Sequence, residues 1–284
     1  IKQYTIIELL RWGDKYLSQH DISNSKQEIE WILCFILQKK KFDLYSQYNQ
    51  KINNNLYLKF KDLVYNRSKK IPLQHLLGIG SFYGRDFFVD KNVLIPRPET
   101  ETIIDVLKKT KNNIDSLIDI GTGSGCLAIT CSLENIASNI VATDISKKAL
   151  KIAKKNNNHF KTKNITYLHH NILHDKLVNK FDVLISNPPY IEKNKINSLQ
   201  EEVRLYDPIV ALTDFQDGML FYKHFINYFD CFIKNNGCMI LEISDNYQKI
   251  KINKLINNKN LKSIYYKDLQ NDYRVIKIFK KWIF

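Results

Sequence analysis

Apolar residues fall along this chain in three regimes. Over the first 70 positions they recur with helical spacing. The stretch "SKQEIEWILCFILQ" places them at Ile29, Ile32, Leu33, Ile36 and Leu37, and "NNLYLKFKDLVYNR" at Leu56, Phe60, Leu63 and Val64. Steps of three and four residues draw one apolar stripe down each helix. Ser25 and Glu28 have the spacing of a capping box, so a helix start is expected there. With residues 3–18, these segments predict a small helical domain over residues 1–75. The second regime, "IGSFYGRDFFVDKNVLI" at 79–95, mixes aromatic and β-branched residues with Gly and Asp. That mixture predicts a β-hairpin, here expected as a linker over 76–95. "PRPETETIIDVLKK" then opens a helix, with proline near its first turn and acids at its positive end.

From residue 115 onward, short apolar runs alternate with amphipathic helices. The runs lie at 116–120, 139–143, 164–169, 181–186, 237–243, 261–266 and 273–280. Seven such strands separated by helices predict an α/β domain over 96–284, a mostly parallel sheet covered on both faces. In that architecture ligands bind beyond the carboxyl ends of the strands.

Composition changes this picture little. Hydrophobic content of 44% and charged content of 25% are those of an ordinary globular chain. No apolar run reaches membrane-spanning length and the opening residues lack a signal-peptide pattern, so a soluble, cytoplasmic protein is expected, with no membrane partner. The five cysteines lack C-x-x-C spacing and read as reduced, buried thiols. A net charge of +14 invites a nucleic-acid reading. Yet 37 of the 43 basic residues are lysines, dispersed without a dense block, in a sequence rich in Lys, Asn and Ile throughout. The charge therefore reads as compositional bias, and no sequence-specific nucleic-acid binding is expected.

The candidate chemistry sits at successive strand ends. "LIDIGTGSGCLAI" runs a strand into the turn Gly121, Thr122, Gly123, Ser124, Gly125 and then a helix. Glycines there permit positive φ and close ligand approach. The G-x-G-x-G spacing differs from the dinucleotide G-x-G-x-x-G and fits a smaller nucleoside whose amino-acid portion lies along the turn. Asp119 would face that portion's ammonium. Asp144 ends the next strand about 20 residues on, where an acid accepts both ribose hydroxyls; the alternative, a helix N-cap, could be supplied by Ser146. Asn171 ends the third strand and could bond an adenine edge. His169, His170 and His174 lack nearby acid or cysteine ligands at metal-binding spacing, so no metal is expected. The fourth strand, "FDVLI", stops at "SNPPY", because two prolines cannot continue a sheet ladder.

A glycine turn, a ribose acid, an amide and an Asn-Pro-Pro-Tyr loop, in that order, resemble the class I S-adenosylmethionine-dependent methyltransferases that act on planar nitrogens, a Rossmann-like fold. The resemblance implies S-adenosyl-L-methionine as cofactor. It also implies that Asn187 and the Pro188 carbonyl accept the two protons of a target NH₂ and aim its lone pair at the methyl group. Tyr190 would stack on the planar group, close to the sulfonium. Positioning and charge stabilisation carry such a transfer.

The stretch "IPLQHLLGIGSFYGRDFFVDKNVLIPRPETE" with "SNPPYI", "VRLYDPIVAL" and "DGM" narrows the resemblance to the peptide chain release factor glutamine methyltransferases, the HemK/PrmC family. That family methylates the glutamine of the Gly-Gly-Gln tip of release factors, and its N-terminal domain helps to hold the partner; a ribosomal context is compatible with the basic charge. It implies cofactor contacts at Gly121 to Gly125, Asp144, Asn171, Ile172 and Asn187, and substrate contacts at Asn187, Pro188, Pro189 and Tyr190, with Arg97 and Glu99 nearby. The chain departs from the pattern at Asn171, where an acid is usual, and at aliphatic Ile172. It departs again at Asp207, Ser244 and Asn271, where Glu and two glycines are usual. Alternatives are a ribosomal-protein glutamine methyltransferase, an adenine-specific nucleic-acid methyltransferase, whose base-reading region the short loops here leave little room for, and a non-catalytic nucleoside-binding module.

Overall fold

The computed structural model describes residues 3–110, 114–257 and 259–281. They form two compact units, one of Ile1–Gly78 with Gln200–Tyr206, the other of Ile79–Leu199 with Asp207–Phe284.

The first unit packs α1 (Ile6–Ser18), α2 (Ser25–Leu37), α3 (Lys41–Ser46), α4 (Asn54–Ser68) and α5 (Leu73–Leu77) around Ile6, Leu17, Ile29, Ile32, Leu33 and Phe60. The helical stripes read from the sequence are this core. The capping box expected at Ser25 is absent. Asn24 is the N-cap of α2, and Ser25 lies inside the helix with its hydroxyl on Asp14 (2.5 Å). Glu28 is drawn away by Arg67, whose Nε and Nη2 lie 2.5 and 3.0 Å from its carboxylate. The box forms at α1 instead, where Thr5 and Glu8 cap each other's backbone. Arg67 is 3% exposed. It also reaches Glu202 (2.8 Å), on the helix Glu201–Tyr206, and the Ile71 carbonyl (3.3 Å). Two carboxylates and a carbonyl satisfy a guanidinium whose burial would otherwise be costly. The sequence reading put residues 200–206 with the sheet; their contacts group them with the helices.

In the second unit, β1 (Ile79–Phe82) and β2 (Arg85–Phe88) form an antiparallel hairpin turned by Tyr83 and Gly84, both at positive φ (50° and 71°). Phe82 and Phe87 are fully buried with Ile103, Ile104 and Leu117. The buried Asn156 accepts from the Phe88 N–H (2.7 Å) and donates to its carbonyl (2.9 Å). The hairpin is thus built into this unit's core.

The main sheet has seven strands, β3 (Ile114–Ile120), β4 (Ala137–Asp144), β5 (Ile165–His169), β6 (Phe181–Ser186), β7 (Ile233–Glu242), β8 (Leu261–Lys267) and β9 (Tyr273–Lys280). Their order is β5-β4-β3-β6-β7-β9-β8, and β9 runs antiparallel to both its neighbours while the other pairs are parallel. The seven apolar runs of the sequence match these strands, with β7 beginning earlier than expected. Consecutive residues Leu117 and Ile118 enter different core layers, the first with Ala128 and Ile129, the second with Leu184, Phe225 and Met239. Such a strand is buried on both faces, which is why its sequence does not alternate. The helices α6 (Glu101–Lys109), α7 (Cys126–Leu133) and α8 (Lys147–Phe160) supply the first layer. Strand order reverses between β3 and β6, which opens a crevice at their carboxyl ends. No helix among the described residues is long and apolar enough to cross a membrane.

Candidate active site

A cavity of about 280 Å³ opens at that crevice, entirely within the second unit. Small-molecule sites begin at about 300 Å³, so the space suits a ligand of nucleoside size. Its walls are the segment 92–97, the glycine turn, the ends of β4, β5 and β6, and parts of 208–215.

The glycine turn is held from below. Gly121 and Thr122 donate their backbone N–H to the Thr143 carbonyl (2.9 and 2.8 Å), binding the turn to β4. Gly121 and Gly123 adopt φ of 74° and 56°, and a Cβ built on either meets open space. The room above the turn is therefore available to a ligand, while the left-handed backbone excludes most side chains. Asp144 accepts from the Gly123 N–H (2.9 Å) through Oδ2 and the Ser146 N–H (2.8 Å) through Oδ1. Ser146 caps α8 through Ala149 (3.2 Å), so the cap does not need Asp144. Burial raises the Asp144 carboxyl, offset by those two N–H groups. Two amide partners leave two lone pairs on the carboxylate for further donors.

Asp119 is placed differently from the sequence reading. It is fully buried, with Oδ2 on the Thr122 hydroxyl (2.7 Å), and is not among the side chains lining the cavity. Burial pushes its carboxyl up to about 7, with the Thr122 hydroxyl opposing and the Asp144 charge adding. Gly125, at φ 83°, likewise lies behind the wall and starts α7. Asn171 and Ile172 do line the cavity. The Asn171 side-chain oxygen already accepts from Leu173 N–H (3.1 Å), so one of its lone pairs is engaged in its own turn. Beside it, His170 faces the cavity with both ring nitrogens buried and without a hydrogen-bond partner. Among the described residues no three His, Cys, Asp or Glu side chains are arranged to hold a metal.

The other wall is the proline loop. Asn187, Pro188 and Pro189 line the cavity together with Arg97 and Thr100. Asn187 donates its Nδ2 to Thr100 Oγ1 (3.1 Å), and Thr100 donates to Glu242 Oε2 (2.6 Å). Glu242, at the end of β7, is 1% exposed, and burial raises its carboxyl to about 7. Tyr190 points its hydroxyl at Glu242 Oε1 (3.2 Å) and lines a neighbouring cavity with Glu192, Lys195 and Tyr247. Burial keeps the Tyr190 phenol protonated well above its usual range, so it acts as a donor there. Arg97 is paired with buried Asp207 (2.7 Å), while Glu99 is not among the lining residues.

The loop is braced from behind. Ile191 N–H bonds the Leu212 carbonyl (2.9 Å), and Gly218, at φ 72°, lies so close to the Tyr190 carbonyl that a Cβ would overlap it. Asp214 holds the Gly218 turn through the N–H groups of Gln216, Gly218 and Leu220 (2.8, 3.1 and 2.9 Å). Thr100, Glu242 and Asp214 were missed in the sequence. An acid closing the apolar run "CMILE" was the available signal for Glu242, since Glu is rarely buried unless partnered.

Comparisons with known proteins bear on the family and the fold. Residues 8–78 match the PrmC N-terminal domain and residues 98–204 the methyltransferase small domain. The release factor glutamine methyltransferase of Bacillus subtilis is 34% identical over 247 residues, covering 84% of this chain and 85% of that protein. Its counterpart in Fusobacterium nucleatum is 33% identical, with 98% and 79% covered. A methyltransferase structure from Pyrococcus furiosus superposes with a TM-score of 0.55 at 18% identity, over 77% of this chain and 99% of that one, a likeness of fold. With a methyltransferase sheet, a glycine turn and Asp144 at one wall, an Asn-Pro-Pro-Tyr loop at the other, and relatives of this similarity along most of its length, the chain belongs to the release factor glutamine methyltransferase family.

Proposed function

We propose that this enzyme transfers a methyl group from S-adenosyl-L-methionine to the side-chain amide nitrogen of the glutamine in the Gly-Gly-Gln motif of peptide chain release factors. The cavity fits the cofactor on its own terms. Open space above Gly121 and Gly123 takes the amino-acid portion, the spare lone pairs of Asp144 take ribose hydroxyls, and Asn171 and Ile172 border the base. Bound there, the cofactor supplies an electrophilic methyl on a sulfonium.

The observation that carries the reading is the Asn187 amide. Its NH₂ end is engaged by Thr100, which leaves the oxygen of this cavity-lining residue to accept from a substrate. An amide nitrogen is a weak nucleophile because its lone pair is delocalised. Asn187 Oδ1 and the Pro188 carbonyl accept its two protons, hold it in line and favour pyramidalisation. Tyr190 serves this reading by bracing the loop through Glu242. The helical unit, matching the PrmC N-terminal domain and exposing Trp31, Phe42, Leu58 and Tyr65, is the proposed holder of the release factor.

The test is methyl transfer from labelled cofactor to a panel of release factors, ribosomal proteins and DNA, with mass spectrometry of the product. Label on the Gly-Gly-Gln glutamine is expected. Label confined to a ribosomal protein or to adenine would replace the substrate assigned here.

A further inference from the structure

The two ends of an asparagine side chain have nearly the same shape but opposite hydrogen-bonding character. Only the oxygen can receive the protons of a target NH₂; the reversed amide would face it donor to donor. We infer that Thr100 and Glu242 are positioning residues that dictate which end of the Asn187 amide meets the substrate. This rests on the reading of Asn187 as the acceptor for the target amide.

The argument follows the protons. Thr100 Oγ1 receives Asn187 Nδ2 (3.1 Å), which it can do only if its single proton points elsewhere. That proton goes to Glu242 Oε2 (2.6 Å). An ionised carboxylate accepts and cannot donate, so it gives the chain one direction, from Asn187 through Thr100 to Glu242. The second oxygen, Oε1, takes the Tyr190 hydroxyl (3.2 Å), so one carboxylate fixes both Asn187 and Tyr190 of the loop. Tyr222 donates to the Glu242 backbone carbonyl (2.6 Å) and steadies the strand end.

Protonating Glu242 reverses this order. With the proton on Oε2, the O–H donates to Thr100, Thr100 donates to Asn187, and the amide turns its NH₂ into the cavity. Around this carboxyl, burial favours the protonated form, and so does the charge of Glu99; the hydroxyls of Thr100 and Tyr190 and the charge of Arg274 favour ionisation. Arg274 is itself held by Asp268 (3.1 Å) and the Ser244 carbonyl (2.8 Å). With the carboxyl raised to about 7, transfer should fall as the pH drops through neutrality.

The full-length protein is assayed by single turnover on a Gly-Gly-Gln release factor, with cofactor affinity measured separately. Thr100→Val keeps the shape and removes the hydroxyl; kcat should fall about ten- to a hundredfold, the scale for losing an outer partner that orients a site residue, with KM and cofactor affinity near those of the unaltered protein. Thr100→Ser should recover turnover. Glu242→Gln should abolish the acid limb of the pH profile. In an Asn187→Asp background the two oxygens are equivalent, so adding Thr100→Val should cost little there. Full activity of Thr100→Val, or an acid limb persisting in Glu242→Gln, overturns the inference while methyl transfer itself stands. Absence of transfer by the unaltered protein to any glutamine substrate overturns the underlying reading and this inference with it.

Discussion

The two walls of the cleft are built by different means. The wall we assign to the cofactor is a backbone device: a glycine turn, held to β4 by main-chain hydrogen bonds and capped by one acid, Asp144. The wall we assign to the acceptor is a side-chain device, in which Asn187 and Tyr190 of one loop depend on Thr100 and Glu242, contributed by two other places in the chain. Backbone turns are local in sequence and tolerate loss of any one side chain. A relay of side chains is as sensitive as its least replaceable member. Function should therefore fail differently at the two walls.

The largest effect is expected at the acceptor wall. Asn187→Ala should lower kcat by about 10²–10³, or roughly 2.7–4 kcal/mol, the scale for removing one preorganised polar partner. Cofactor affinity, measured by calorimetry, should barely move. Comparable losses in both quantities would dissolve the distinction between the walls. Asp144→Ala should do the reverse, weakening cofactor binding by about 1–3 kcal/mol with a smaller change in kcat at saturating cofactor. An unchanged dissociation constant in the folded variant would remove Asp144 from the site.

Gly218→Ala tests the bracing. A Cβ there collides with the Tyr190 carbonyl and must also adopt a left-handed φ. A stability loss of about 1–3 kcal/mol is expected from thermal unfolding, with reduced turnover and cofactor affinity retained. Wild-type turnover would show that the loop holds its shape without this brace.

The smallest effect concerns pH and stability. Asp119 and Glu242 both have carboxyls raised to about 7 by burial, above the ordinary carboxylate range. The folded state binds their protons more tightly than the unfolded chain does. Their contribution to stability is thus full in acid and is lost as pH rises from the ordinary range through 7. Activity governed by Glu242 rises across that same window. Denaturant midpoints for the wild type and Glu242→Gln between pH 5 and 8 will measure this, and the variant should show the shallower decline.

The glycine turn, Asp144 and the strand ends that the structure brings to one cavity were legible in the sequence because their signals are local. Glycine spacing, an acid about 20 residues on and the ends of apolar runs all lie within single βα units. The same locality exposed the Asn187–Tyr190 loop, since two prolines end a strand unmistakably. Relations between distant residues stayed hidden. Asn187 and Thr100 are 87 positions apart, and Thr100 and Glu242 are 142 apart. Nothing in "PRPETE" marks its threonine rather than its acids as the partner. Asp119 looked like a ligand contact from its position before the turn; in the structure it is fully buried, holds the Thr122 hydroxyl and is not among the residues lining the cavity. Ser25 and Glu28 showed the converse failure, a local pattern overruled by Asp14 and Arg67 from other helices.

The chain passes between its two units three times, after Gly78, after Leu199 and after Tyr206. The N-terminal unit is consequently not a module that one breakpoint can remove. A recombination joint or protease cut near residue 78 would strand the helix Glu201–Tyr206 on the other product, and would strip from Arg67 one of its two carboxylates and from the Lys69 carbonyl its Tyr206 hydroxyl. An exchange of this unit between relatives would have to carry two separate pieces of sequence together. Inheritance of the helical unit with its own catalytic unit is thus written into the path of the backbone.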